Sequence, residues 1–304
     1  MTIFLSILGV IGVSASGPIM AATAAPALAI AFWRNFLGAV LMGGPAAVSK
    51  RAEFVALTRA DCQRLAIAAI ALALHFACFV TALKLTSVAA ATALVCLQVA
   101  WIALFDSILG SRPQGAVVAG LGVAFIGVVV ITGFDFSLSR EALLGDVLAL
   151  AGGALAGIYQ MAGAVARRTL STGTYTTLCY GACAVILLAM CLLTRQPIVG
   201  FTPAAWAGIL AVTLMAQIMG HSVFNHLLAV MSPLMVSMII LLEIPGAAIL
   251  AAVFLGEKLP FGTYGGLVLI LVGLAVVIVG QQRRRGRRRP LEEAAAPPPV
   301  LGGE

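Results

Sequence analysis

Residues 232–255 read SPLMVSMIILLEIPGAAILAAVFL and contain one charged side chain, Glu243. A helix needs about 20 apolar residues to cross the hydrocarbon core of a bilayer, and this run is long enough to do so. Its apolar residues are continuous rather than alternating, which excludes the strand pattern of a membrane β-barrel. The run therefore predicts a transmembrane helix.

Similar runs occupy most of the chain. Of its 304 residues, 62% are hydrophobic and 10% are charged, whereas soluble proteins have roughly 45–50% and about 25%. A water-soluble globule of this size needs a larger charged surface, so that class is excluded. The runs predict an all-α integral membrane protein with ten transmembrane helices, at residues 3–24, 27–48, 64–83, 87–109, 114–134, 143–166, 174–194, 203–228, 232–255 and 261–280.

The distribution of Lys and Arg predicts the orientation, because cytoplasmic loops are enriched in these residues. If the N-terminus is cytoplasmic, thirteen of the 18 Lys and Arg residues lie on the inside and four on the outside. We therefore expect a multi-pass protein of the cytoplasmic membrane with both termini in the cytoplasm. Residues 281–304 are expected to form a cytoplasmic tail, first basic and then disordered. Its arginines are expected to contact lipid headgroups and not nucleic acid.

The two halves of the chain resemble each other when each residue is compared with the residue 146 positions later. The matched pairs are Gly110 with Gly256, Gly120 with Gly266, Gly127 with Gly273 and His75 with His221. An offset of 145 pairs Gln98 with Glu243 in the fourth and ninth predicted helices. A duplicated unit of five helices crosses the membrane an odd number of times, so its second copy is inverted. The sequence thus predicts two inverted five-helix repeats, at 1–134 and 143–280, a construction that many secondary transporters share.

Three stretches carry a resemblance to a known family. They are AFWRN at 31–35, ALKLTSVAAATALVCLQVAWIALF at 82–105 and LLEIPGAAILAAVFLGEKL at 241–259. Together with the glycine-spaced fifth and tenth predicted helices, they resemble the EamA-type transporters of the drug/metabolite transporter superfamily. The resemblance implies that helices one to four and six to nine surround a central cavity, with helices five and ten at the periphery. The first half departs from the family pattern, since Gln98 stands where the family has an acid.

Polar residues inside the predicted helices are candidates for a functional site, because an ionisable group at a helix centre costs about 2.5–3.5 kcal/mol to insert. Gln217, His221 and Asn225 follow at intervals of four residues, which places them on one face of the eighth predicted helix. We expect this face to line a cavity, with hydrogen bonding between helices as the alternative. His75, the repeat partner of His221, is expected either to reach the same cavity from the other half or to serve in packing.

Glu243 and His221 are the candidates for coupling transport to protons, since a buried acid and a histidine can both exchange a proton. Pairing with a nearby His or Arg is the alternative for Glu243. Arg34, in the second predicted helix, either binds a substrate carboxylate or holds helices together through backbone carbonyls.

The remaining candidates offer aromatic walls and amide hydrogen bonds, which suit a small amphipathic solute such as an amino acid. They are Gln98, Trp101, Tyr159 and Gln160. Two histidines without an adjacent acid or thiol do not suggest a metal site, and we expect neither a metal nor a cofactor.

These features predict a secondary transporter that moves a small metabolite by alternating access. The sequence contains no ATP-binding P-loop, so active transport would draw on a gradient. Analogy with the family favours export. A channel-like facilitator and an intramembrane enzyme are the alternatives, the enzyme being disfavoured because no GxSG or HExxH motif occurs. Both a monomer and a homodimer are compatible with the sequence.

Overall fold

The computed structural model of the chain describes residues 1–110, 115–136, 139–258, 261–262, 264–273, 275–276 and 279, with side chains in these ranges except at 128 and 131–136. Every regular element in these ranges is helical. Eight helical stretches of the described chain are long and apolar enough to cross a membrane. The prediction of an all-helical membrane fold is confirmed. The predicted tail at 281–304 lies outside the described residues.

The helices of the first half correspond to the first five predicted runs, except for the short α4, which lies between the second and third runs. They are α1 (Thr2–Ser14), α2 (Ser16–Ala22), α3 (Ala27–Ser49), the short α4 (Arg51–Val55), α5 (Arg59–Ala82), α6 (Val88–Val95), α7 (Gln98–Ile108) and α8 (Gly115–Phe136). Four stretches of membrane length arise from them, formed by α1 with α2, by α3, by α5, and by α6 with α7.

The helices of the second half coincide with the later runs. They are α9 (Arg140–Ala166), α10 (Thr172–Leu193), α11 (Pro203–Val212), a π-helical segment (Thr213–Ser222), α12 (Val223–Leu227), α13 (Pro233–Ile240) and α14 (Glu243–Leu255). The other four membrane-length stretches are α9, α10, the run from α11 to α12, and α13 with α14. A further apolar helix, Tyr264–Gly273, lies within the tenth predicted run.

Serine and threonine side chains begin six of the helices in the described chain. Each accepts a hydrogen bond from the backbone N–H three residues later, which satisfies a donor that the helix leaves free. These residues are Thr58, Ser87, Ser139, Ser171, Thr202 and Ser232. Polar residues at the edges of apolar runs therefore define where the membrane helices begin.

Three of the membrane-length stretches are interrupted near their centre. The first breaks at Ala15, where Pro18 lacks the N–H that would continue the helical hydrogen bonds. Pro245 accounts in the same way for the break that precedes Glu243. The third break precedes Gln98. Gln98 and Glu243, which the sequence repeat pairs, thus both begin a half-helix in the middle of a membrane-length stretch.

Close packing joins α3 to α10, α5 to α9, and α1 to the π-helical segment. The last contact depends on glycine: a Cβ atom on Gly12 would lie 2.5 Å from the carbonyl oxygen of Met215 and 2.7 Å from the nitrogen of Gly220. No side chain fits in that space, so the two backbones touch. We call α5 with α9 the α5/α9 pair. We call α1 and the π-helical segment, with α2 and α12 that continue them, the α1/π pair.

Glycines also bring α8 against the helix Tyr264–Gly273. A Cβ atom on Gly127 would lie 2.6 Å from the carbonyl oxygen of Gly266. A Cβ atom on Gly273 would overlap the carbonyl oxygen of Gly120 in the same way. These four glycines form two of the three glycine pairs predicted from the sequence repeat, and each contact joins a glycine of one half to a glycine of the other.

Candidate functional site

A cavity lies between the α5/α9 pair and the α1/π pair, at the depth of the helix breaks that precede Gln98 and Glu243. The space free of atoms in and around it is about 600 Å³. Its apolar lining includes the rings of Phe79 and Phe224. Its polar lining consists of Ser16, His75, Cys96, Gln98, Tyr159, Gln160, His221, Asn225 and Glu243. Both halves of the chain therefore contribute polar groups to one space.

Most of the residues predicted to line a cavity lie in this one. They are His75, Gln98, Tyr159, Gln160, His221, Asn225 and Glu243. The other three predicted residues, Arg34, Trp101 and Gln217, lie outside its lining.

The two histidines that the sequence repeat pairs lie side by side, with ring centroids 6.4 Å apart. Nδ1 of His75 is 2.9 Å from the carbonyl oxygen of Gly152 in α9. Because a carbonyl only accepts, Nδ1 carries the proton in this contact, and Nε2 of the neutral ring is an acceptor. The His221 ring packs 5.2 Å from the Phe76 ring and has no hydrogen-bond partner among the described residues. The histidines thus keep hydrogen-bonding capacity for a solute or a proton.

Glu243 is the one carboxylate among the described residues that line the cavity. It is 6% exposed and begins α14. The thiol of Cys96 lies 4.0 Å from its Oε2. In the part of the chain that the structure describes, no Lys or Arg lies within ion-pair distance of this carboxylate, and the ion pairs found there involve Glu53 and Asp61. Glu243 therefore makes no direct ion pair in the described structure, and the charge of Arg34 acts on it from a longer distance.

A directed chain of hydrogen bonds runs from the cavity wall into the protein. The Tyr159 hydroxyl donates to Oδ1 of Asn225 at 2.7 Å, and Nδ2 of Asn225 donates to the Tyr180 hydroxyl at 3.0 Å. Ser222 Oγ donates to the carbonyl oxygen of Gln217 at 2.9 Å, so it accepts from Tyr180 at 3.2 Å. Each donor has one acceptor, which holds the Tyr159 and Asn225 side chains in fixed orientations.

Arg34 is fully buried and joins α3 to the π-helical segment. Its Nε donates to Oε1 of Gln217 at 2.9 Å, and Nε2 of Gln217 donates to Oδ1 of Asn35 at 3.0 Å. The guanidinium carbon lies 4.2 Å from the centroid of the Phe76 ring. Of the two alternatives predicted for Arg34, these contacts favour holding helices together, with the Gln217 amide in place of a backbone carbonyl.

Two other candidates are held by neighbouring side chains. Oε1 of Gln160 accepts a hydrogen bond of 2.6 Å from Ser237 in α13, at the cavity wall. Trp101 stacks on Phe105 one turn along α7, with ring centroids 6.0 Å apart, and is not part of the cavity lining. The aromatic wall predicted for Trp101 is provided instead by Phe79 and Phe224.

The predicted single face of Gln217, His221 and Asn225 is divided in the structure. Gln217 and His221 belong to the π-helical segment, in which hydrogen bonds span five residues and each residue advances by a smaller angle than in an α-helix. Gln217 is bound by Arg34 and Asn35 from α3, whereas His221 and Asn225 line the cavity. For Gln217 the contacts favour the alternative, hydrogen bonding between helices, because Arg34 and Asn35 occupy both ends of its amide.

Sequence reasoning missed two polar residues of the lining, Ser16 and Cys96. Ser16 directly follows the break at Ala15, so Pro18 was a usable signal for it. Cys96 lies in the break before Gln98, where no proline marks the sequence. A thiol within an apolar run looks like a packing residue, and nothing local distinguishes it.

Comparison with known proteins identifies the family. The model of the EamA-like transporter family matches residues 1–133 and 143–279. The chain belongs to the EamA-like transporter family. This EamA-like protein is therefore a multi-pass membrane protein of a transporter family, and the resemblance expected from the sequence is confirmed.

One solved structure supports the fold of this EamA-like protein. It is described as "Crystal structure of protein" and matches 92% of this chain and 98% of its own chain, with a TM-score of 0.69 and 19% sequence identity. At that identity the likeness concerns the fold alone. No curated protein matches the sequence.

Proposed function

We propose that this EamA-like protein is a secondary transporter that moves a small metabolite across the cytoplasmic membrane by alternating access, in the direction of export. The observation that carries the proposal is that His75, His221 and Glu243, from both halves of the chain, line one cavity. Ionisable groups within membrane helices need a partner, a cavity or a function, because their insertion costs about 2.5–3.5 kcal/mol each. The direction rests on analogy with the family.

The proposed architecture is ten membrane helices in two inverted repeats, at 1–134 and 143–280. In such a repeat α5 corresponds to the π-helical segment, and α9 corresponds to α1. The contact of α5 with α9 would therefore have a counterpart between the π-helical segment and α1. Both contacts occur, which supports the proposed architecture. The crossed glycine contacts of α8 with the helix Tyr264–Gly273 support it as well. Inverted halves would let one rigid unit rock on the other around a fixed site.

The proposed binding residues are those of the polar lining that the sequence also singled out. Gln98, Gln160 and Asn225 would supply amide hydrogen bonds, and Tyr159 a hydroxyl. His75 would bind the solute together with them. Glu243 and His221 would in addition exchange protons with the solution during the cycle.

The lining favours a solute with a positively charged end. Glu243 supplies a carboxylate to the cavity, whereas the Arg34 guanidinium lies outside the lining. The faces of Phe79, Tyr159 and Phe224 can attract a cation in addition. We therefore propose an amphipathic solute with an ammonium group, amino acids included, with Glu243 as the counter-charge.

The test is transport by the purified full-length protein in liposomes. Amphipathic amines and amino acids are supplied with and without a pH gradient, and uptake is compared for wild type, His221→Ala and Glu243→Gln. Glu141→Gln is the control, because Glu141 is exposed in the first turn of α9. We expect about a tenfold or greater loss of uptake in the first two variants and none in the control. Wild-type uptake by equally folded His221→Ala and Glu243→Gln protein would disprove these roles.

A channel-like facilitator is the alternative mechanism. A carrier that alternates between two states exchanges labelled for unlabelled solute faster when solute is present on both sides, whereas a channel does not. Acceleration of labelled efflux by external unlabelled amine is therefore expected. Failure to accelerate would favour the channel.

The proposed orientation places both termini in the cytoplasm. A reporter that is active only in the cytoplasm, fused after residue 280, should be active, and activity of a periplasmic reporter at the same site would contradict the orientation. The same purified protein, examined for mass in detergent, would distinguish a monomer from a homodimer.

A further inference from the structure

Lys84, directly after α5, holds the carboxyl end of α2. Its Nζ donates hydrogen bonds to the carbonyl oxygens of Met20 at 2.9 Å, Ala21 at 3.2 Å and Thr23 at 2.8 Å. The last carbonyls of a helix have no helical partner and carry a partial negative charge, which a lysine can satisfy. One side chain therefore joins the α5/α9 pair to the α1/π pair at this end of the cavity.

Arg167, directly after α9, makes the corresponding contact at the opposite end. Its Nε donates to the carbonyl oxygen of Asn225 in α12 at 3.0 Å. Its other nitrogens donate to Leu170 and to Thr172, the latter at 2.8 Å, which shape its own loop around the contact. Arg167 is 8% exposed. A second basic side chain thus joins the same two pairs, again through a carbonyl near the end of a helix.

The two contacts lie at opposite ends because α5 and α9 are antiparallel. At one end the Thr169 hydroxyl donates to Oδ1 of Asp61 at 3.0 Å. At the other end the Thr86 hydroxyl donates to Oδ1 of Asp146 at 3.1 Å. These bonds hold α5 and α9 together at both ends, so the pair behaves as one unit.

The α1/π pair is a unit for a different reason, since its backbones touch at Gly12 and Gly220. The cavity lies between the two units, with His75 and Tyr159 on one side and His221 and Asn225 on the other. For the cavity to open at one end, the units must part there, and the basic contact at that end must break.

We infer that Lys84 and Arg167 are the two gating residues of this transporter, each of which holds the cavity shut at one end by binding the carbonyls at the end of a helix in the opposing unit. The inference rests on the proposed function, in that it assigns the residues that control which side the cavity faces. Loss of one contact shifts the protein towards the state that is open at that end. The contact at the other end is retained, so the shift has a direction.

The cavity contains its own reporter for a test, the thiol of Cys96. The parent protein for the test is the full-length chain with Cys62→Ala and Cys78→Ala, because Cys62 is exposed and Cys78 is half-buried outside the cavity. The three other cysteines besides Cys96 are buried outside the lining. The protein is reconstituted in liposomes of known orientation. A membrane-impermeant cationic methanethiosulfonate is then applied from one face at a time, and the rate of labelling is measured by mass spectrometry.

We expect Lys84→Met to raise the rate of Cys96 labelling about tenfold from the face that holds Lys84, since loss of hydrogen bonds from a charged donor shifts an equilibrium by that order. Arg167→Met should raise it from the opposite face. The matched controls are Lys258→Met and Arg168→Met, which remove exposed cations of the loops without such contacts in the described structure. Both controls should label at the parent rate from either face.

Equal acceleration from both faces, or none relative to the controls, would overturn the assignment. Lys84→Arg and Arg167→Lys keep a donor and should label close to the parent rate, which separates gating from misfolding if a Met variant is unstable. If Cys96 does not react in any variant, the rates are measured at Ser16→Cys, another position of the lining. Labelling of Cys96 needs no substrate, so it tests the gating residues independently of transport. If the Met variants change the face from which Cys96 is labelled but the protein takes up no solute, the proposed function is contradicted and the assignment of Lys84 and Arg167 still holds.

Discussion

Nε of Arg34 donates a hydrogen bond of 2.9 Å to Oε1 of Gln217, across 183 residues of sequence. The other end of the same amide donates to Asn35 at 3.0 Å, so both polar atoms of Gln217 are occupied. All three side chains are buried, and Arg34 carries its charge outside the cavity lining. These hydrogen bonds join α3 to the π-helical segment and hold the guanidinium outside the cavity lining.

Gln217→Met should destabilise the protein by about 1–3 kcal/mol, because it leaves a buried guanidinium N–H without its acceptor. The measurement is thermal unfolding in detergent. Gln98→Met is the comparison, since Gln98 is a buried glutamine whose side chain has no hydrogen-bond partner in the described structure. A larger fall in Tm for Gln98→Met than for Gln217→Met would contradict the role assigned to the Arg34 contact.

Tyr159→Phe and Tyr180→Phe should separate stability from solute binding. Both remove a hydroxyl of the chain that passes through Asn225, so each should cost about 1 kcal/mol of stability. Tyr159 lines the cavity and Tyr180 does not. A several-fold rise in KM is therefore expected for Tyr159→Phe alone, measured with the amine that gives the highest uptake. Equal KM values in the two variants would argue against contact of Tyr159 with the solute.

Gly12→Ala should destabilise the protein by about 1–3 kcal/mol, the usual range for overpacking. Its Cβ would lie 2.5 Å from the carbonyl oxygen of Met215, and backbone atoms cannot move aside as a flexible side chain can. Gly122→Ala is the matched control in α8, because no described atom lies within 4 Å of its Cβ position. Heat-induced aggregation of the two detergent-solubilised proteins measures the difference. Similar midpoints would show that α1 can withdraw from the π-helical segment without loss.

Glu53→Gln should lower stability at pH 7, and this effect should diminish as the pH falls below 4.5. Partial burial raises the pKa of Glu53, but hydrogen bonds from Ser171 and Thr174 outweigh this effect and lower the pKa below its ordinary value of 4.5. A carboxylate with a lowered pKa stabilises the fold above its unfolded pKa and loses that contribution as pH falls through its folded pKa. Since Glu53 is partly exposed, less than about 1 kcal/mol is expected.

The difference in Tm between wild type and Glu53→Gln, measured from pH 7 to pH 4, tests this sign. It should shrink as the pH falls below about 4.5. Glu141→Gln, at an exposed position of α9, should show no comparable loss at pH 7. A difference that grows towards low pH would disprove the assignment of the Ser171 contact, in which the backbone N–H lies 2.9 Å from Oε2.

The sequence predicted the helices well because the signals are local. Each run of apolar residues must satisfy its own backbone hydrogen bonds in lipid, and a helix is the only way for a single run to do so. The run at 232–255 corresponds to the membrane-length stretch Pro233–Leu255. The predicted pairing of Gln98 with Glu243 agrees with their positions, since each begins a helix within a membrane-length stretch.

The sequence by itself thus determined a helical membrane protein and a short set of polar residues, because charge is scarce in the runs and each exception is conspicuous. Only the tertiary structure decided which of those residues share a space. Gln217 is bound by Arg34 and Asn35 of α3, whereas His221, four residues later, lines the cavity, because different helices pack against the two positions. Lys84 and Arg167 look like ordinary loop cations until the fold brings helix carbonyls from distant parts of the chain to them. Apolar runs are a property of neighbouring residues, whereas these contacts depend on how separate helices pack.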